Sequence, residues 1–427
     1  MKKVLVAGAA LMLAGSVVSA ASAGTPGDTP EEATGVSITG DARVTYVGWK
    51  DYNRTDDTDE YADYFESRVG LNFDATAKGG TSVHARLYFD DEGYNDDAIW
   101  HGGGNTQLGV STDYAYFMTP VGSNLTLRAG RIPLNFTPFY SWDIRPTRVQ
   151  LIYKSGNLKL VPFVGVVNEN WSDFDNLEDN DFMQYGIVPI LQLNDAWTVK
   201  GFFRYNDDQR ERDANFTLAG IDAVTSTGEP ALFYGLAQTA DTPHADRSGF
   251  DGSVNLSGSA GNIGFTAEVS YKAADFQGTE DDGIGAYVQA AFGMEAFTPI
   301  IIAGMTQGGF MADQNFGFVM VGGNESTTVV NVGNPYGDLA FAALVLKNQL
   351  SDRLSLQGNL LFAQYDYDGE TMIVDDAIEV SGVLTYQMSE STSFTYKLGA
   401  LIPGYDDDAG VAEDTYFGHL LRYNVEF

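Results

Sequence analysis

Apolar and polar residues alternate with a period of two along most of the chain after residue 35. Val36, Ile38, Gly40, Ala42, Val44 and Tyr46 share one side, while Ser37, Thr39, Asp41, Arg43 and Thr45 share the other. The split recurs with Phe65, Val69, Leu71 and Phe73 against Glu66, Arg68, Asn72 and Asp74, and with Val83, Ala85, Leu87 and Phe89 against His84, Arg86, Tyr88 and Asp90. It returns late in the chain, where Ile263, Phe265, Ala267, Val269 and Tyr271 oppose Thr266, Glu268, Ser270 and Lys272, and Ile378, Val380, Gly382, Leu384 and Tyr386 oppose Glu379, Ser381, Thr385 and Gln387. Successive side chains of a strand point to opposite faces, so each segment reads as a strand with one oily and one wet face. These segments run to about ten residues, longer than the roughly five or six usual in soluble sandwiches. Their length is that of a strand crossing a membrane.

The connections alternate short and long. Turns rich in Gly, Asn, Asp and Ser are expected at 78–81, 120–124, 154–157, 193–196, 257–262, 293–296, 347–353 and 388–391. Longer connections are expected at 50–60, 90–107, 132–146, 168–180, 206–246, 273–282, 306–337, 366–375 and 402–413. Eight turns and nine loops require 18 strands with both ends on the short-turn rim, or 16 if two weak hairpins merge. Within 306–337, Phe316 to Val321 is itself strand-like. No linker or low-complexity seam divides the chain, although a packed soluble core usually splits beyond about 250–300 residues. A closed barrel escapes that limit, since its interior need not be a packed core. The expected fold is therefore all-β: one transmembrane antiparallel β-barrel of 18 strands (alternatively 16) spanning 24–427.

Charge and composition narrow the chemistry. Among 427 residues there are 58 acids, 24 Lys and Arg, a net charge of -34 and no cysteine. That excludes disulfide frameworks, Cys-based metal sites and iron–sulfur clusters. It also argues against a nucleic-acid partner, which needs a basic patch. Lys2 and Lys3, the apolar run Val4 to Val18 and the small residues Ala21, Ser22 and Ala23 have the pattern of a secretory signal peptide over 1–23. Its removal leaves 22 bases against 58 acids.

The last segment places Leu421, Tyr423, Val425 and Phe427 on one face and Arg422, Asn424 and Glu426 on the other. It resembles the aromatic carboxy-terminal strand of Gram-negative outer-membrane barrels. Glu66-Ser67-Arg68-Val69-Gly70-Leu71, and Asp113-Tyr114-Ala115-Tyr116-Phe117 followed by Leu127-Arg128-Ala129-Gly130-Arg131, are similar to stretches of the porin family. That resemblance implies a multi-pass barrel in the bacterial outer membrane, among lipid and lipopolysaccharide, passing ions and small hydrophilic solutes passively without a cofactor. It further implies a homotrimer, and a loop after the fifth strand, 132–146, that folds into the lumen and brings Asp143 and Arg145 to a constriction.

Parity reads out the lumen. Arg43, Arg68, Arg86 and Arg128 fall on wet faces, and Arg148 enters the next strand on the same kind of face. They form either a basic ladder facing acids such as Asp143 or a wall stiffened by pairing with Asp41, Glu66, Asp74 and Asp90. Arg131 joins them only if a bulge corrects its parity. The acids cluster in the long connections, and ion preference is pushed in opposite directions by that acidic mouth and the basic wall. Asp366, Asp368 and Glu370 are weak candidates for a loop-bound calcium or magnesium ion, since the full ligand spacing is absent. The competing readings are a substrate-specific channel, a non-conducting structural or adhesive barrel closed by 206–246 and 306–337, and a barrel hydrolase centred on His84. No catalytic sequence signature supports the last of these, so the chain is not expected to be an enzyme.

Overall fold

The computed structural model describes residues 35–50, 61–90, 109–142, 144–169, 181–208, 248–277, 281–295, 297–323, 327–333, 337–367, 374–405 and 415–427. The expected signal peptide, most of the acid-rich connections, Asp143, Asp368 and Glu370 lie outside these residues. The first nine strands are β1 (Gly35–Lys50), β2 (Tyr61–Thr76), β3 (Ser82–Asp90), β4 (Gly109–Pro120), β5 (Leu125–Arg131), β6 (Thr147–Ser155), β7 (Leu158–Glu169), β8 (Asp181–Asn194) and β9 (Trp197–Asp208). The second nine are β10 (Gly249–Ala260), β11 (Ile263–Lys272), β12 (Gly283–Phe292), β13 (Phe297–Gln307), β14 (Gly337–Ser351), β15 (Leu354–Tyr367), β16 (Val374–Ser389), β17 (Thr392–Tyr405) and β18 (Tyr416–Glu426).

Each strand pairs antiparallel with its chain neighbours, and β1 closes the ring against β18 from Asp41↔Glu426 to Lys50↔Phe417. Closure satisfies every strand edge within the sheet, which a bilayer demands because it offers no water to unpaired backbone groups. The terminal residue completes the seam: Gly40 N–H donates to the Phe427 carbonyl at 2.7 Å, and Phe427 N–H donates back to Gly40 at 2.9 Å. A Cβ at Gly40 would come within 2.7 Å of the Phe427 ring, so a larger residue would push that ring off the seam. At the short-turn rim Gly156 and Gly261 adopt φ of 53° and 62°, the left-handed backbone that two-residue hairpins require.

The period-two pattern becomes two different walls. Val44, Phe65, Val83, Val269, Val288, Ile301, Leu360 and Val380 point outward and are 43–59% exposed. So large an apolar surface would associate in water and is at home in lipid. Replacing Leu360, at mid-strand on this belt and 50% exposed, with arginine is expected to cost about 2–4 kcal/mol of stability in a bilayer. Denaturant unfolding from vesicles checks this; an unchanged midpoint would mean that this face does not meet lipid.

Inside, two connections fold back into the barrel. Residues 132–142 and 144–146 form a narrow hairpin, with Leu134 N–H donating to Ile144 carbonyl (2.8 Å) and Phe136 N–H to Ser141 carbonyl (3.0 Å). Its Leu134, Phe136 and Tyr140 pack with Phe163 of β7 and Phe202 of β9. Residues 308–323 and 327–333 also fold inward. Phe310, Phe316, Phe318, Val319, Met320, Val321, Val330 and Val332 are all buried against inward apolar residues of β12 to β18, among them Leu339, Phe341, Leu361, Ala363 and Leu401. The strand-like segment Phe316 to Val321 is therefore part of a lumenal loop, tied by single bridges Gly317↔Gly322 and Val321↔Val330, and the barrel keeps 18 strands. The two loops meet where Phe139 stacks on Phe310 (5.5 Å) and meets Phe316 edge-on (4.8 Å), and where Asp313 N–H donates to the Phe139 carbonyl (2.9 Å).

Candidate functional site

Covering one side of the lumen leaves the chemistry of the other to β1–β9. Arg43 and Arg68 are register partners on β1 and β2. One step along, Arg86 of β3 pairs in register with Asn72 and Tyr114. Arg128 of β5 stands opposite Gln150 of β6, and Arg148 of β6 opposite Gly165 of β7. Near the short-turn rim Lys154 of β6 faces Lys159 of β7, and Ile190 of β8 links Lys159 to Lys200 of β9. The cations thus descend along one wall from the middle of β1 to the short-turn rim.

Several guanidiniums are held by aromatic faces. Arg68 and Arg86 lie 4.3 and 4.7 Å from the Tyr88 ring, Arg128 lies 5.5 Å from Tyr116, and Arg148 lies 5.0 Å from Phe163. Cation–π contact fixes the guanidinium without neutralising it. With the Gln150 amide turned to present its oxygen, Arg128 Nε also donates to it at 2.7 Å. Arg148 is 4% exposed and forms no ion pair with any carboxylate among the described residues.

Arg86 behaves differently, because it pairs with Asp41 and its Nε lies 4.0 Å from Asp113. Asp113 reaches the lumen through a bulge: register shifts between Arg86 and Leu87, so Asp113 is skipped between Tyr114 and Thr112. There it forms an ion pair with Arg145, whose Nε lies 2.8 Å from Oδ1 and whose Nη2 donates to Oδ2 at 3.4 Å, tying the returning arm of the 132–146 hairpin to the wall. Arg145 thus sits at the base of that loop, while Asp143 lies outside the described residues. Arg131 does not join the inner wall. It is exposed, is in register with the outward residues Ala115 and Thr147, and its Nε donates to the Asp113 carbonyl at 3.0 Å. The bulge that could have corrected its parity falls on β4 and turns Asp113 inward instead.

Three buried carboxylates hold the loops. Glu268 of β11, 1% exposed, accepts from Thr137 (2.6 Å), Ser253 (2.8 Å) and Asn255 (3.0 Å). Asp251 of β10 accepts from Tyr140 (2.5 Å) and from Arg204 Nε (2.8 Å). Burial first, then the Asp251 carboxylate, raise the Tyr140 hydroxyl well above its usual range, so it stays a neutral donor. Glu379 of β16, fully buried, accepts from the backbone N–H groups of Val319 (2.9 Å), Met320 (3.1 Å) and Val321 (2.8 Å). Its carboxylate is aimed by a chain of donors: Asn359 donates to Ser381 (2.9 Å) and Ser381 to Glu379 (2.5 Å). These acids act on loops, so they are buried away from the exposed inner surface of the barrel.

Among the described residues no group of three His, Asp or Glu is arranged to hold a metal ion, and Asp366 lies exposed near the end of β15, in register with Asp338. Sequence parity carried through β6–β9 would have added Lys154, Lys159 and Lys200. Nothing local marks Asp113, Glu268 or Glu379 as special, because their roles depend on loops distant in sequence.

No family model and no curated protein sequence matches the chain. Solved structures do. OccK5 (OpdH) of Pseudomonas aeruginosa superposes with a TM-score of 0.55 at 9% identity, over 92% of this chain and 98% of that one. Pseudomonas aeruginosa OpdQ gives a TM-score of 0.55 at 10% identity over 92% and 98%. A BenF-like porin from Pseudomonas fluorescens Pf-5 gives 0.52 at 10% identity over 91% and 98%. The closed ring of 18 strands, the apolar outer belt and these superpositions together identify the fold as that of a Gram-negative outer-membrane porin, a multi-pass transmembrane β-barrel.

Proposed function

We infer that the barrel is a water-filled channel for passive diffusion of small hydrophilic solutes, and that it favours anions. The homotrimer and the lipopolysaccharide surroundings implied by the family resemblance belong to the same reading. One observation carries the anion preference: on the uncovered wall Arg43, Arg68, Arg128, Lys154, Lys159 and Lys200 outnumber the acids Asp41, Glu66 and Asp74, whereas Asp251, Glu268 and Glu379 of the remaining wall are buried beneath the loops they hold. A chain of net charge -34 thereby carries a cation-rich track along part of its inner wall. Fixed charges on low-dielectric walls focus the potential in the water between them and raise the local concentration of counter-ions.

The test is the reversal potential of the folded protein in a planar bilayer under a potassium chloride gradient. Steady ohmic steps with chloride more permeant than potassium are expected. Potassium-dominated current would mean that the acid-rich connections control selectivity, and no current from a folded preparation would remove the channel reading altogether.

A further inference from the structure

Next to the short-turn rim, on the inner wall, Ser82, His84 and Asp74 form a hydrogen-bonded relay that neither the basic track nor the loop anchors use. Asp74 of β2 and His84 of β3 are register partners, and Ser82 lies two residues before His84 on the same face. His84 Nδ1 stands 2.5 Å from Asp74 Oδ1, and Ser82 Oγ stands 2.9 Å from His84 Nε2. The imidazole is stacked on Tyr116 at 4.9 Å with 24° between the planes, so its orientation is fixed from a third strand. The site is open to the lumen, with the His84 and Asp74 side chains 26% and 41% exposed.

In the neutral imidazole these contacts fix the tautomer: an ionised carboxylate only accepts, so Nδ1 carries the proton and Nε2 presents its lone pair. Ser82 O–H must then donate to Nε2. A hydroxyl hydrogen-bonded to a base whose other nitrogen is oriented by a carboxylate is the arrangement of an activated serine nucleophile.

We propose that Ser82 is a nucleophile that is acylated by small activated esters entering the lumen and is then released by water. In the first step Ser82 Oγ bonds to the carbonyl carbon while its proton passes to His84 Nε2. The ester C–O bond then breaks, and the leaving alkoxide takes that proton. In the second step water, deprotonated by Nε2, attacks the acyl carbon, the Ser82 O–C bond breaks, Ser82 takes back the proton from Nε2, and the carboxylic acid product departs and gives its remaining proton to bulk water as it ionises. The backbone amides flanking Ser82 are committed to the β2–β3–β4 ladders, so the tetrahedral oxyanion is stabilised by the field of the basic wall, of which Arg128, on the Tyr116 ring, is the nearby member. Activated esters, and not amides, are therefore the substrate class, and the anionic product is released into a lumen lined by cations.

The experiment uses the full-length, detergent-folded protein and a fluorophosphonate probe, which bonds to an activated serine through phosphorus with loss of fluoride. Peptide mass mapping is expected to place the label on Ser82. His84→Gln is expected to slow that labelling roughly hundredfold or more, the usual contribution of a general base. Hydrolysis of p-nitrophenyl acetate is expected to fall to the buffer rate in Ser82→Ala. The heat-dependent gel shift of intact barrels verifies folding, and Asp74→Asn gives a second reading should His84→Gln not fold. Absence of label on Ser82 in the folded barrel, or labelling at the same rate in a folded His84→Gln or Asp74→Asn barrel, would overturn the proposal.

Discussion

Replacing Glu379 with alanine is expected to release the 308–333 loop from the barrel wall and enlarge the single-channel current. The carboxylate is fully buried and accepts the backbone N–H groups of Val319, Met320 and Val321, none of which donates to a backbone carbonyl among the described residues. A hydrogen bond to a charged group contributes about 1.5–3 kcal/mol. Allowing for water that enters to satisfy the amides, a net loss of about 3 kcal/mol would shift the docked-to-free ratio of the loop by roughly a hundredfold. The loop has pivots at both ends, since Gly308 and Gly309 adopt φ of 59° and 75° and Gly333 adopts 106°. The observable consequences are a larger mean conductance with flickering substates, and faster swelling of proteoliposomes in larger sugars. Glu379→Gln retains one acceptor oxygen and the side-chain volume, so its effect should lie between the two. Unchanged current from a folded Glu379→Ala barrel would show that apolar packing of Phe310, Met320 and Val321 holds the loop unaided.

Most of the barrel was legible in the sequence because one physical rule writes it. Wherever one face meets lipid and the other water, the alternation has to persist along the whole strand. The two faces follow from parity, and the count of 18, with 16 as its alternative, follows from the alternation of short and long connections. The rule loses force where the inner face is not wet. On β14 Leu339, Phe341, Ala343 and Val345 point inward and are buried while Leu344 and Leu346 point outward, so both faces are apolar and the pattern flattens. That inner apolar strip is the trace of the 308–333 loop, read as a long connection with a strand-like centre. The sequence shows an apolar segment there; only the structure shows that the segment covers another apolar segment.

The site was legible in part for a related reason. Arg43, Arg68, Arg86, Arg128 and Arg148 are on the wet parity, and parity placed them on the inner wall, yet it says nothing about which acids they meet. Arg86 is largely neutralised by Asp41 and Asp113, the latter turned inward by a bulge that no pattern announces. The carboxylates Glu268 and Glu379 looked like ordinary wet-face residues. Their burial depends on segments 131 and 58 to 60 residues away in the chain. Charge reversal at Arg86 would therefore leave three carboxylates facing one another, and its effect on ion preference would be entangled with repacking.

Lys159 and Lys200 give the cleaner charge reversal. Both stand on the inner wall near the short-turn rim, separated in register by Ile190, and neither forms an ion pair with a carboxylate among the described residues. Substituting both with glutamate changes the local charge by four units while leaving the loop anchors and the Arg–aromatic contacts in place. At separations of about 6 Å, with an effective dielectric between roughly 20 and 80, each unit charge acts on a passing ion with about 1–3 kcal/mol. A swing of 1.4 kcal/mol is already tenfold in relative permeability. The double variant is expected to reverse the sign of the potassium chloride reversal potential, most clearly at low ionic strength, where the Debye length is comparable to the lumen. The steps should remain steady and ohmic, since no loop contact is removed. If the sign persists, the passing ion is selected farther up the track, at Arg43, Arg68 and Arg128, and the lysine level serves only as an exit.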